Sequence, residues 1–138
     1  MGLLIMPSFN FQKRFVPALE QGLKRSTIRR RPALVGLTAF LFTGLRTKSC
    51  TRVAQHTITH CNPITLVIDL NNCSCKIDNR YLTGSQFDLL ARQDGFGSAI
   101  LMLQWLVETY PNGYPVNIGF QVWEFKGYLI KWETADHD

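Results

Sequence analysis

Ten basic side chains, Lys13, Arg14, Lys24, Arg25, Arg29, Arg30, Arg31, Arg46, Lys48 and Arg52, lie in residues 1–60 against the single acid Glu20. Residues 61–138 reverse the balance, with five basic and nine acidic side chains. The overall charge of +5 therefore conceals one strongly cationic half. Such a half suits the binding of an anion, first of all a nucleic acid or a nucleotide. A solvated basic face without a ligand fits the same charges. Arg46 and Lys48, after a strand-like run, fit phosphate contact and a solvated loop equally; Arg30 and Arg31 read as surface electrostatics. Phe9, Phe11 and Phe15 offer faces on which a base could stack, although aromatics at that spacing more often fill a core, as Trp105, Trp123 and Trp132 are expected to do. His56, His60 and Cys61 lie close together, but no Cys-x-x-Cys pair completes a zinc site, so neither metal nor cofactor is expected. In a strand, Cys73 and Cys75 would share a face, as structural thiols commonly do. Four cysteines in 138 residues are not a needed disulfide framework, and they fit a reduced cytoplasmic protein.

These groups act only where secondary structure positions them. The length suits one globular domain, burying roughly two-thirds of its unfolded surface without disulfides or metal. With 18% charged residues, aromatics spread from Phe9 to Trp132 and no low-complexity segment, the composition excludes a predominantly disordered chain. The run Ala33 to Leu45 imitates a signal peptide, but it begins more than thirty residues into the chain and its thirteen residues are too few to span a bilayer. Met1 to Met6 reads as a frayed tail or an upstream start. Neither export nor a membrane is expected.

The pattern predicts a helix over Ala18–Leu23 after Pro17, then strands over Leu37–Thr43, Val53–Thr59, Ile64–Leu70 and Cys73–Ile77. Two helices follow. Ser85–Arg92, with Ser85 near its cap, breaks at Asp94-Gly95-Phe96-Gly97; Ser98–Tyr110 is apolar nearly all round, which predicts a fully buried helix. Strands over Val116–Trp123 and Tyr128–Trp132, joined by a turn at Phe125-Lys126-Gly127, complete the chain. Short strands with helices inserted at two points predict an α+β fold, an antiparallel barrel or strongly curved sheet with helices packed on it.

The most informative stretch runs from Phe11 to Arg29. Its aromatic-x-x-Arg-Phe start, short helix, Gly22-Leu23-Lys24 and Thr27-Ile28-Arg29 resemble, in register, the ASCH family of small β-barrels related to PUA RNA-binding domains. Phe42 to Lys48, Ala91 to Phe96 and Gly127 to Trp132 extend the resemblance to residues 9–134, leaving 1–8 and 135–138 as tails. It implies a PUA-like antiparallel β-barrel with helices packed on it. Small bacterial members of the family include N4-acetylcytidine amidohydrolases, whose catalytic group is a Lys, a Thr three residues on and a Glu at the helical insertion. By motif these positions fall on Lys24, Thr27 and Asp94; the third departs from the family, Asp being one methylene shorter than Glu. Arg14, Arg29, Arg46 and Lys48 are the residues expected to bind the substrate or a nucleic acid, the partner being a modified nucleoside or RNA. An RNA-binding module without catalysis is the alternative. Single-strand ribonuclease activity, also associated with ASCH proteins, would lack a convincing His pair here.

Amide hydrolysis needs a nucleophile, a base to remove its proton, an acid for the departing amine and donors for the oxyanion. Thr27 supplies a hydroxyl. Lys24 serves as base only if its pKa falls well below the free value near 10.4, which desolvation and the neighbouring Arg25, Arg29, Arg30 and Arg31 would favour. An ionised Asp94 would oppose that shift, so its expected role is acid or proton relay. Arg29 would hold the substrate or the oxyanion. Each residue also has a structural explanation: Lys24 can satisfy last-turn helix carbonyls, and Asp94 before Gly95 suits a turn or a cap.

Overall fold

The computed structural model describes residues 7–69, 72–115 and 122–133. The elements are β1 (Ser8–Phe11), a 3-10 turn (Lys13–Phe15), α1 (Val16–Glu20), β2 (Ser26–Arg29), β3 (Thr38–Thr43), β4 (Thr51–Asp69), β5 (Asn72–Ile77), β6 (Arg80–Tyr81), α2 (Gly84–Gln93), α3 (Ala99–Thr109) and β7 (Val122–Trp132). The expected leader Met1–Met6, the start of the penultimate strand at 116–121 and the tail 135–138 lie outside the described residues.

The fold is mixed α+β, seven strands in one sheet with helices against it. Strand β4 is its spine. Its first part pairs with β3, and from Ile58 onward it pairs with β7, past a register shift between Ile58 and His60. Its last six residues also carry β5. The two strands expected at 53–59 and 64–70 are thus one. Pro63 lies just beyond the end of the β5 ladder, where its carbonyl accepts from Asp78 N–H (3.2 Å), so its missing donor removes no bond to β5. Asp78 and Asn79 both adopt positive φ, as a two-residue hairpin between β5 and β6 requires.

Among the described residues the sheet does not close into a barrel, and β1 runs parallel to β3, a departure from the all-antiparallel expectation. No ladder joins β1 to β2. Instead Arg29 Nη2 donates to the Asn10 carbonyl across the gap (2.9 Å), and the opening holds the candidate site. The expected turn at Phe125-Lys126-Gly127 is also corrected, because these residues continue β7 opposite Ile64, Thr65 and Leu66. Gly127 has another use: a Cβ there would lie 2.5 Å from the Arg29 carbonyl oxygen, so glycine lets the end of β2 approach.

The helices carry clear start and stop signals. In α2, Thr83 rather than Ser85 is the cap, in a reciprocal capping box with Gln86. Its other end is a Schellman motif, with Gly95 N–H donating to the Arg92 carbonyl, Phe96 N–H to that of Ala91, and Gly95 at φ 95°. Ser98 caps α3, and Asp88 Oδ1 accepts from Ala99 N–H (2.8 Å). The α3 helix is not buried all round: Ala99, Met102, Leu103 and Leu106 face the core, whereas Ile100 and Leu101 are exposed. The core runs from Phe87, Leu90, Met102 and Leu106 to Leu41, Ile64, Leu66, Phe125 and Ile130 on the strands. No helix among the described residues is long and apolar enough to cross a membrane.

Candidate active site

Strand β2 and the end of α2 are joined directly. Arg25 N–H donates to the Gln93 carbonyl (2.7 Å), which brings the start of β2 against the last turn of α2. Gly95 leaves room there, since a Cβ at that position would press to 3.1 Å from Lys24 Cδ. The result is a buried polar cluster: Lys24, Ser26, Thr27 and Asp94 are each at most 5% exposed.

Lys24 Nζ donates to the backbone carbonyl of Asp94 and lies 3.4 Å from its Oδ1. The same Oδ1 accepts from Ser26 Oγ (2.9 Å). Lys24 Nζ also lies over the faces of Phe15 (4.9 Å) and Phe11 (5.4 Å), which would stabilise positive charge whenever the amine holds a proton. Thr27 Oγ1 accepts from Arg29 Nε (2.9 Å); among the described residues it bonds neither Lys24 nor Asp94. Arg29 is held in turn over Phe9 and Phe11, at 5.1 and 4.9 Å.

Lys24, Thr27, Arg29 and Asp94 line one cavity of about 210 Å³, walled by Phe11, Phe15, Phe96, Trp105 and Tyr110. The aromatic wall is an ordered cluster, with Phe15 edge-on to both Phe96 and Trp105. Phe11 and Phe15 therefore serve the core and the cavity together, and Trp105 is a half-buried wall residue rather than core. Trp123 and Trp132 are core.

Burial dominates the protonation of the central pair. It pushes the Lys24 pKa below the ordinary lysine value, aided by the positive charges of Arg29 and Arg14 and opposed by Asp94. It pushes Asp94 above the ordinary carboxyl value, opposed by Lys24, Ser26 and Arg29. Both shifts favour the neutral forms. Burial likewise lowers the pKa of Arg29, but its guanidinium stays charged.

The other expected binding residues fall outside the cavity. Arg14 stacks over Phe15 and Phe96, at 4.8 and 5.6 Å, on the outer side of the aromatic wall. Arg46 and Lys48 are exposed on the turn between β3 and β4. That turn touches the site indirectly, through Leu45 N–H donating to Asn10 Oδ1 (2.8 Å). His56 stacks on Trp132 (6.1 Å, 2°), and His60 bonds its neighbour Thr59.

Ser26 is the site residue that sequence reasoning missed. A serine in a short strand is unremarkable alone; one signal was available, its position between Lys24 and Thr27. Comparison with family models, with curated proteins and with solved structures finds no match to this chain.

Proposed function

We propose that the chain is an ASCH-type hydrolase of PUA-like fold that removes the acyl group from an N4-acylated cytidine or similar modified nucleoside by amide hydrolysis. The supporting observation is the buried Lys24–Asp94 pair facing the same small, aromatic-walled cavity as Thr27. The cavity is below the size of drug-sized ligand pockets and suits a flat base carrying a short acyl group.

In this reading the resting pair is neutral, as burial favours for both partners. Thr27 Oγ1 attacks the acyl carbonyl carbon while its proton passes to the Lys24 amine. The carbonyl electron pair moves to oxygen, where Arg29 donates to the oxyanion. When the carbonyl re-forms, the C–N bond breaks and the exocyclic amine takes the proton of Asp94. Water then attacks the Thr27 ester and gives a proton back to the Asp94 carboxylate. The Thr27 oxygen leaves with the proton stored on Lys24, restoring the neutral pair.

Incubation with N4-acetylcytidine, with cytidine release followed by chromatography, tests the reading. Turnover by the wild type and its loss in Lys24→Ala are expected. No turnover in the wild type, or unchanged turnover in Lys24→Ala, would overturn it.

A further inference from the structure

Beside the cavity runs a second, more open groove of about 480 Å³ that shares Arg29 and Tyr110 with it. Its charged lining is Arg29, Arg30 and Arg31, and among the described residues no acid lines it. Along β2, side chains alternate between faces, which would send neighbouring arginines apart. The chain bends at residues 30 and 31, however, and the alternation lapses so that all three arginines line one groove. Arg30 is laid over Tyr114 (5.4 Å) and Tyr110 (6.0 Å), which limits the freedom that its guanidinium would lose on binding an anion. Arg29 faces both spaces: its Nε holds Thr27 and its Nη2 holds Asn10 at the boundary.

We propose that this arginine groove is a subsite for a phosphate monoester on the sugar of the substrate, and hence that the enzyme acts on a modified nucleotide in preference to the free nucleoside. The inference rests on the hydrolase reading above. It follows from the arrangement of the two spaces, a small aromatic-walled cavity for the base opening beside a cationic groove, with one arginine common to both. Guanidinium groups suit the dianion because they offer paired donors to phosphate oxygens.

The test compares N4-acetylcytidine with its 5′-monophosphate in the wild type and in Arg30→Ala/Arg31→Ala, two exposed positions. The expected KM for the monophosphate is about tenfold lower than for the nucleoside, or about 1.4 kcal/mol, and the double variant is expected to collapse that ratio toward one. Equal KM values in the wild type, or a ratio that survives in the double variant, would overturn the inference. Fluorescence titration with cytidine and cytidine 5′-monophosphate provides a readout without turnover. Tighter binding of the monophosphate that is lost in the double variant supports the subsite even if no amide is cleaved, in which case the hydrolase reading alone fails. A single-stranded oligonucleotide carrying the modified base internally is the third arm; if it outcompetes the monophosphate, the groove reads a phosphodiester and the inference is overturned.

Discussion

Lys24 and Arg46 are both cations of the basic half, and the structure gives them opposite environments. Lys24 is 3% exposed, held by the end of α2 and covered by aromatic rings. Arg46 lies on an exposed turn at φ 68°, which Thr47 and Cys50 close through backbone bonds to Gly44 and Thr47. Among the described residues the turn holds its shape without a partner for the arginine. The contrast teaches that net charge alone is a poor guide to chemistry. A cation in water keeps its proton and its hydration, whereas burial makes proton loss accessible and makes each neighbour count.

The largest expected effect comes from breaking the buried pair. Lys24→Ala should destabilise the fold by about 2–5 kcal/mol, because it deletes a buried four-carbon stem and the donor to the Asp94 carbonyl, and it should abolish turnover. Lys24→Met/Asp94→Leu, which refills the space with apolar groups, should recover most of the stability with none of the activity. Urea unfolding measures both, and a single variant as stable as the double would show that the pair is not coupled.

Ser26→Ala should cost about 1–3 kcal/mol by removing a donor to a buried carboxyl oxygen. Gly127→Ala should cost about 1–3 kcal/mol by overpacking the approach of β2 to β7. The two variants separate by activity: turnover should fall more in Ser26→Ala, whose hydroxyl holds Asp94, than in Gly127→Ala at equal loss of stability.

The pH dependence has two limbs of opposite sign. Asp94, raised above 3.8, keeps its proton in the folded chain where the unfolded chain has lost it, so its contribution to stability declines as pH rises through that window. Lys24, lowered below 10.5, loses its proton in the folded chain first, so its contribution climbs as pH rises toward 10.5. Unfolding midpoints across pH should show a decline that Asp94→Asn removes, and turnover should rise below the ordinary lysine range. At the turn, Arg46→Ala and Lys48→Ala should change stability by no more than about 0.5 kcal/mol and leave turnover with N4-acetylcytidine intact. A larger loss at either would erase the contrast between the two regions.

Much of the local architecture was legible in the residues. The break at Asp94-Gly95-Phe96-Gly97, the start of the last helix at Ser98 and the apolar, β-branched and aromatic run of β3 are decided by residues within a few positions, and the structure shows each of them. Where sequence reasoning went astray, distant partners had overruled a local signal. Residues 60–63 separate two expected strands, yet β4 runs through Pro63, which lies just beyond the end of the β5 ladder. Gly127 looked like a turn, but glycine serves there to admit β2. The apolar ring of α3 promised full burial, yet the core reaches only one face.

The site divides along the same line. Sequence alone determined the polarity of the chain, the break between α2 and α3 and the residue types at Lys24, Thr27 and Asp94, because helix breaking and charge are properties of residues and their near neighbours. Only the tertiary structure decided that Lys24 meets Asp94 across seventy positions, that Ser26 completes the pair, that Thr27 is held by Arg29, and that Arg46 stays in water. Burial and the pKa shifts that follow from it are sums over everything packed around a group, and most of what packs around Lys24 lies far from it in the chain.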